Sequence, residues 1–306
     1  MRHDAVIGAF RKLVMIALAA GATSASAQDL EPRAYSNAPI GLNFLLAGYA
    51  YVEGGVAVDP SLPLKDAHIS VNGATLAYAR SLDAWGHSAK FDVALPYAWL
   101  SGTAEFAGQP KERMVAGLAD PRFRFSVNCY GAPALSVKEF ADYRQDLIVG
   151  ASVSVWAPLG QYDATKYVNL GTNRWSVKTE LGVSKALGAW TLEVIPAVTF
   201  FTDNTNFVGG NTRAQDPIYS MQAHVIYHLS SGAWMALDGT YYTGGLTRTN
   251  GVSDTDRESN SRAGVTLALP VDRSNSVKLY ASTGISTRTG SDFNIFGVAW
   301  QYRWEQ

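Results

Sequence analysis

The sequence is poor in cysteine and in charged residues, and neither sign of charge is in excess. Its 306 residues include one cysteine, Cys129, which excludes an intramolecular disulfide and a metal site built from several cysteines. Charged residues make up 17% of the chain, compared with about 25% in average soluble proteins. The 25 Lys and Arg residues nearly match the 26 Asp and Glu residues, so no basic excess indicates a nucleic-acid partner.

Long apolar runs are also lacking beyond the N-terminus. No later segment approaches the roughly 18 apolar residues of a membrane-spanning helix. Hydrophobic residues nevertheless reach 47% and aromatic residues 11%. A chain that combines little charge with many aromatic residues does not have the composition of a disordered protein. The sequence therefore predicts a folded chain that is not a helical membrane protein.

The start of the chain has the three parts of a secretory signal peptide. Basic residues precede a short apolar core at residues 13–22, and small residues up to Ala27 form a cleavage site. We therefore predict an exported protein whose signal peptide, residues 1–27, is cleaved after Ala27.

The rest of the chain repeats one pattern, in which apolar and polar residues alternate before a cluster of Gly, Asn, Asp or Ser. In residues 88–99, for example, Phe91 and Val93 lie on one face and Asp92 on the other. Strict alternation is typical of a β-strand with one apolar face. Twelve such stretches are predicted, near residues 40–52, 67–80, 88–100, 117–129, 145–157, 173–185, 189–201, 217–229, 233–244, 260–270, 275–287 and 292–304.

The lengths of these stretches favour a membrane barrel over a soluble sandwich. Most have about 11–14 residues, closer to the 9–11 of a tilted transmembrane strand than to the 5–6 of an average strand. Long connections alternate with short turns, as in outer-membrane barrels. We predict an all-β fold, a closed antiparallel transmembrane β-barrel of about 12 strands over residues 28–306. The predicted long connections are 53–66, 101–116, 158–172, 202–216 and 245–259, and 130–144 breaks the alternation.

Prolines and one helical segment interrupt the pattern. Pro96, Pro196 and Pro270 lie within or at the ends of predicted strands, where they cannot donate to a ladder, so bulges or broken register are expected there. Residues 134–143 contain a Ser followed three residues later by a Glu, which predicts a capped short helix. That helix would either enter the lumen or lie at the surface between two strands.

Several segments occur in an order that is typical of one protein family. They are GLNFLLAGYAYVEGGV at 41–56, GLADPRFRFSVN at 117–128, APLGQYD at 157–163 and NLGTNRWSVKTELGVSKALG at 169–188. With these segments the chain resembles the MetA-pathway of phenol degradation family, over about residues 36–304. The resemblance implies an exported bacterial outer-membrane barrel that transports solutes and is associated with the breakdown of aromatic compounds.

Charged and polar residues in the middle of the predicted strands would line the lumen of such a barrel. Barrels of about eight strands are filled by side chains and those of about sixteen hold water, so twelve strands predict a narrow passage. Polar groups there could tune which solutes pass, or could only fill the lumen as a salt-bridge network. The residues predicted to contact solute are Asp92, Arg122, Arg124, Lys178, Glu180, Glu193, His224 and Arg262.

No catalytic, metal-binding or cofactor-binding motif is present in the sequence. His224 and His228 share one strand face but would lie some 13 Å apart, too far for one metal ion. Asp254, Asp256 and Glu258 alternate in a loop, where a solvated surface is the simpler interpretation. We therefore predict no catalytic residue, no bound metal, no cofactor and no enzyme activity.

Together these patterns predict an outer-membrane channel or transporter of a Gram-negative type cell, through which small aromatic or hydrophobic solutes pass passively. The preference for aromatic solutes rests only on the resemblance. The expected partners are outer-membrane lipid and the solute, without nucleic acid, and the oligomeric state is open. Two alternatives remain, an outer-membrane lipid-modifying enzyme and a soluble periplasmic β-sandwich or lipocalin-like binding protein.

Overall fold

A computed structural model describes residues 30–57, 64–106 and 109–305. The predicted signal peptide lies outside the described residues. Within them the chain is almost entirely β-structure, and none of their helices is long and apolar enough to cross a membrane.

The described residues form seventeen strands and one short helix, numbered here in chain order. They are β1 (Leu42–Ala57), β2 (Leu64–Ala84), β3 (His87–Phe106), β4 (Gln109–Leu118), β5 (Arg122–Tyr130), α1 (Val137–Phe140), β6 (Leu147–Trp156), β7 (Ser176–Leu187), β8 (Trp190–Phe201), β9 (Asn204–Phe207), β10 (Asn211–Gln215), β11 (Ile218–His228), β12 (Trp234–Gly244), β13 (Thr247–Thr249), β14 (Val252–Ser253), β15 (Glu258–Pro270), β16 (Asn275–Thr287) and β17 (Gly290–Glu305).

The long strands close into an antiparallel barrel. The order around the wall is β1, β2, β3, β5, β6, β7, β8, β11, β12, β15, β16 and β17, and β17 pairs with β1 from Leu42 opposite Glu305 to Ala57 opposite Gly290. This confirms the prediction of a closed antiparallel barrel of 12 strands with one short helix. Along one edge, β3 pairs first with β5, from Ala89 to Ala94, and then with β4, from Tyr97 to Phe106.

Side chains alternate between the two faces of the barrel wall. Large apolar side chains, such as Leu181 and Leu237, are exposed on the outside, whereas Lys178 and Glu180 are buried inside. The two faces follow from the alternation of apolar and polar residues along each strand, because successive side chains of a strand point to opposite sides. The apolar face is therefore outside, as in a membrane barrel and unlike a soluble sandwich.

The prolines mark gaps in the ladders, as the sequence predicted. Beside Pro96 the partner of β3 changes from β5 to β4. Beside Pro196 the pairing of β7 with β8 is interrupted at Leu181 and Gly182, while the pairing of β8 with β11 continues. Pro270 is the last residue of β15. A proline has no backbone N–H to donate to a neighbouring strand. The ladders are therefore interrupted or end at these positions.

Two predicted connections are largely strand instead. The predicted loops 53–66 and 101–116 are mostly parts of β1, β2, β3 and β4, which are up to 21 residues long. Residues 58–63 and 107–108 of these loops lie outside the described residues. In the described parts the pairing of neighbouring strands continues, as far as Gly55 opposite His68 and Phe106 opposite Gln109. These expectations about loop boundaries were wrong because the composition of a segment does not show whether a neighbouring strand pairs with it.

The predicted helix at 134–143 is reduced to α1. Ser136 and Glu139 form the expected capping box, in which the Ser136 hydroxyl accepts from Glu139 N–H and the Glu139 carboxylate accepts from Ser136 N–H. No residue of α1 is buried. The helix therefore lies at the surface between β5 and β6 and does not enter the lumen.

Candidate functional site in the barrel lumen

The lumen contains the residues that precede β1. This N-terminal segment, residues 30–41, begins beside β15, where Leu30 lies next to Gly264, and ends at Gly41, whose N–H donates to the Ser81 carbonyl. Between these ends it contacts side chains of several strands of the wall. The sequence predicts no separate role for these residues of the barrel domain, because apolar and polar residues do not alternate in them.

Tyr35 fixes the middle of the N-terminal segment. Its side chain is 1% exposed and lies against Gly150 and Gly182, which face each other across β6 and β7. A Cβ atom on Gly150 would come 2.9 Å from Tyr35 Cε1, and one on Gly182 would overlap the ring and come 2.7 Å from its Cζ. The Tyr35 hydroxyl hydrogen-bonds Ser152 Oγ at 3.1 Å. The Tyr35 ring therefore packs against two glycines, because a side chain at either position would occupy the space of the ring.

Glu31 binds the N-terminal segment to two arginines of β5. Arg122 Nη1 donates to Glu31 Oε1 at 2.7 Å, and Arg124 Nη1 donates to Glu31 Oε2. Arg122 also reaches Asp92 Oδ1 at 3.2 Å. The Glu31 carboxylate, which belongs to the N-terminal segment in the lumen and not to a wall strand, thus joins two predicted site residues. Charge-assisted bonds of this kind are stronger than neutral ones.

The same network continues onto β7. Arg124 Nη2 lies 3.1 Å from Glu180 Oε2, and Lys178 Nζ lies 2.9 Å from Glu180 Oε1. Ser152 Oγ donates to Glu180 Oε2 at 2.8 Å. Arg124, Lys178 and Glu180 are all buried. Buried charges need such partners because an isolated ion in a low-dielectric interior is costly.

The remaining predicted residues are also inside but are spread over the wall. Glu193 accepts from Arg33 N–H at 2.7 Å and from Ser184 Oγ at 2.9 Å. His224 Nδ1 lies 2.7 Å from Asp238 Oδ1, away from the Glu31 network. Arg262 Nη2 donates to the Phe293 carbonyl at 2.7 Å. The structure thus brings five of the eight residues into one network and places Glu193, His224 and Arg262 elsewhere in the lumen.

Space inside the barrel is unevenly distributed. Inward side chains of β7, from Ser176 to Ser184, are buried, and those of β11, from Ile218 to Ile226, are buried as well. Inward residues of β16, β17, β1 and β2 are partly exposed instead, and we call this surface the open wall. Its partly exposed residues include Phe44, Leu46, Gly48, Ala50, Val52, Gly54, Val71, Gly73, Ala77, Ala79, Ser276, Lys278, Tyr280, Ser282, Phe293, Ile295, Gly297, Ala299 and Gln301, and Thr75 on the same face is exposed.

The open wall differs in chemistry from the rest of the lumen. Most of its side chains are apolar and small, and Lys278 is the one charged residue among those named. Its polar residues are Thr75, Ser276, Tyr280, Ser282 and Gln301. Beyond it, towards the long connections, Ile69, Leu100 and Val168 form a buried apolar cluster. This surface was not predicted from the sequence, because the inward face was expected to be polar throughout. The signal was available, since small and apolar residues occupy both faces of β1.

A small sheet covers part of the end of the barrel that carries the long connections. β9, β10, β13 and β14 form this sheet within predicted loops 202–216 and 245–259. Arg213 of β10 lies 3.3 Å from Asp256, which also accepts from Thr247 N–H at 2.9 Å. Arg174, which precedes β7, donates to Gln215 of β10. Burial and the nearby positive charge of Arg213 lower the pKa of Arg174 to about 9. We call this sheet and its buried polar contacts the cap.

We expect Asp256→Ala to loosen the cap. The change leaves Arg213 and the Thr247 N–H without their shared acceptor, and an unsatisfied buried donor costs about 1–3 kcal/mol. Limited proteolysis with trypsin should then cut severalfold faster after Arg248 or Arg257. Asp272→Ala, in the turn at the opposite end of the barrel, is the control. Unchanged cleavage in Asp256→Ala would show that other contacts hold the cap.

Metal binding finds no support among the described residues. No group of three or more His, Cys, Asp or Glu side chains in residues 30–57, 64–106 and 109–305 could hold a metal ion. Asp254 accepts from Thr247 Oγ1 at 2.7 Å, and Asp256 pairs with Arg213. His228 contacts Thr191 rather than His224.

Comparison with known proteins places this barrel in a family. The COG4313 outer membrane channel from Pseudomonas putida F1 is similar in structure, with a TM-score of 0.77 and 19% identity over 90% of this chain and 100% of that chain. The transport unit of the autotransporter AIDA-I from Escherichia coli is similar with a TM-score of 0.53 and 9% identity, over 94% of this chain and 97% of that chain. No curated protein matches. The model of the family described as "Putative MetA-pathway of phenol degradation" matches residues 51–302, so the chain belongs to that family.

Proposed function

We propose that this protein spans the outer membrane and lets small apolar solutes, including aromatic ones, pass passively along the open wall. The observation that carries the proposal is the uneven lumen, in which the accessible inner surface is mostly apolar while most of the charged side chains are buried in contacts with one another and with the N-terminal segment. Membership of a family named for phenol degradation and the fold shared with an outer membrane channel support it. Export by a signal peptide cleaved after Ala27 is part of the proposal.

The outer surface supports a position in the membrane. Exposed apolar side chains surround the barrel, and Trp300, Tyr302 and Trp304 stack on one another near the end of β17. Aromatic residues at strand ends are typical of the girdles at the two membrane–water interfaces. Outer-membrane lipid is therefore the partner that we propose for this surface.

The chemistry of the open wall selects for apolar solutes. A solute that moves from water to an apolar surface gains roughly 25 cal/mol for each Å² that it buries. A sugar, or an ion without an aromatic ring, gains little from such a wall and loses hydrogen bonds to water. That the eight charged and polar residues contact the solute stays a prediction. These residues bond to one another and to the N-terminal segment. This favours a structural role, in which they form the polar side of the passage.

A charge placed on the open wall tests the proposal. Ala50→Glu puts a carboxylate in the middle of β1, and we expect severalfold slower uptake of the apolar dye N-phenyl-1-naphthylamine by intact cells that express the protein. Ser286→Glu, at the exposed end of β16, is the matched control. Heat-modifiable migration of both variants on gels verifies that the barrel is folded. Equal uptake by Ala50→Glu and the unmodified protein would exclude a path along the open wall.

The two alternatives differ in their support. A soluble sandwich or lipocalin-like binder is inconsistent with the exposed apolar outer face. For a lipid-modifying enzyme, the closest arrangement is His224 oriented by Asp238, but no Ser, Thr or Cys of the described residues bonds its Nε2 atom, and the ring is 1% exposed inside the barrel. We propose that the protein is not an enzyme, which a phospholipase and deacylase assay on the purified protein tests.

A further inference from the structure

An aromatic ring lies flat on the open wall. Tyr280 of β16 faces Gly297 of β17 in the strand register, and Thr266 of β15 faces Tyr280 from the other side. A Cβ atom on Gly297 would overlap Tyr280 Cζ and the hydroxyl oxygen and would come 2.5 Å from Cε2. The ring therefore occupies the place of the missing side chain. Since Tyr280 is partly exposed, part of it faces the open space of the lumen.

The ammonium group of a lysine lies over that ring. Lys278 points into the lumen two residues before Tyr280, and its Nζ lies 5.9 Å from the centre of the Tyr280 ring. Within the part of the chain that the structure describes, Lys278 makes no hydrogen bond or ion pair. Other lumen cations differ, since Lys178 pairs with Glu180 and Lys90 donates to the Ala34 carbonyl at 2.7 Å.

Several of the residues around this pair are small. Ala299 faces Lys278 across the register, and Ala50 faces Gly297 on the next strand. Leu30 of the N-terminal segment is close, because it lies against Gly264, which faces Ser282. The pair thus lies on the accessible part of the lumen, next to the N-terminal segment.

We propose that Lys278 and Tyr280 form a subsite for an aromatic solute whose ring carries an anionic oxygen, as a phenolate or an aromatic carboxylate does. The inference rests on the proposed function and deepens it by naming the solute class. The solute ring stacks on Tyr280, because aromatic rings prefer offset stacking. Its oxygen accepts from Lys278 Nζ, and this charge-assisted bond is strengthened by the mostly apolar open wall. Because Gly297 has no side chain, the Tyr280 ring can lie against the backbone of β17.

Equilibrium binding to the purified barrel in detergent tests the subsite. The probes are benzoate and 4-nitrophenolate as oxyanions, nitrobenzene as a neutral ring and cyclohexanecarboxylate as an oxyanion without an aromatic ring. We expect Tyr280→Leu to weaken the three aromatic probes by about threefold to tenfold. Lys278→Gln should weaken the two aromatic oxyanions by a similar factor and leave nitrobenzene unchanged. Tyr280→Phe, which retains the ring, should bind all probes as the unmodified protein does.

Controls separate the subsite from general effects. Tyr302→Leu removes an outward ring and Lys185→Gln a rim lysine, and neither should alter binding. Gly297→Val displaces the Tyr280 ring and should weaken the aromatic probes as Tyr280→Leu does. If benzoate binds equally to all variants, or does not bind the unmodified protein at millimolar concentration, the subsite is wrong. Dye uptake by intact cells is measured separately, so loss of the channel function is distinguishable from loss of the subsite.

Discussion

Gly182→Val should widen the passage through the lumen by opening the side that the N-terminal segment fills, with a severalfold higher single-channel conductance in planar bilayers. The valine side chain would occupy the space of the Tyr35 ring, which lies within overlap distance of a Cβ at this position. With the ring expelled, the N-terminal segment loses its central contact. The wall itself does not depend on this ring, since the strands are joined by backbone hydrogen bonds on both sides of β7.

Two further variants make this expectation specific. Gly239→Val adds the same side chain on β12, where the nearest atom to a Cβ is the Ala223 carbonyl oxygen at 4.0 Å, and its conductance should remain at the original value. Tyr35→Ala should raise conductance by itself, and adding Gly182→Val to it should change little more, because both act through one contact. Conductance of Gly182→Val equal to that of Gly239→Val would show that Tyr35 does not hold the segment.

Glu180→Gln should strongly destabilise the folded barrel. Glu180 is buried between Arg124 and Lys178, and its removal leaves Lys178 as a buried cation without a carboxylate. Breaking a buried pair in this way costs about 3–5 kcal/mol, because the remaining charge is not compensated. Urea unfolding in lipid vesicles, followed by tryptophan fluorescence, measures the change.

An exposed ion pair provides the comparison for that measurement. Asp146 pairs with Lys185 at the rim of the barrel, where both side chains are exposed. Asp146→Asn should therefore change the free energy of unfolding by only about 0–1 kcal/mol. If both variants unfold at the same urea concentration as the unmodified protein, water in the lumen solvates Lys178 and the network contributes little to stability.

The architecture was predictable because the signal is local. Alternation in residues such as Phe91, Asp92 and Val93 assigns each side chain to a face without knowledge of the rest of the chain. Closure followed from the number and length of the stretches. For the same reason the predicted residues Arg124, Lys178 and Glu180 are inside, and the Pro196 position coincides with a gap in a ladder. Boundaries were less predictable, because β2 and β3 pair through residues that have the composition of loops.

The contents of the lumen, by contrast, were decided by contacts between distant parts of the chain. Tyr35 and Ser152 are 117 residues apart, and Glu31 and Arg124 are 93 residues apart. Nothing in the sequence around Tyr35 shows that it meets Gly182. The sequence alone therefore determined the barrel and the direction of its side chains, because period-two alternation is a property of each strand. Only the tertiary structure decided which inner surface is filled and which is open, because packing across the lumen joins residues that no local pattern relates.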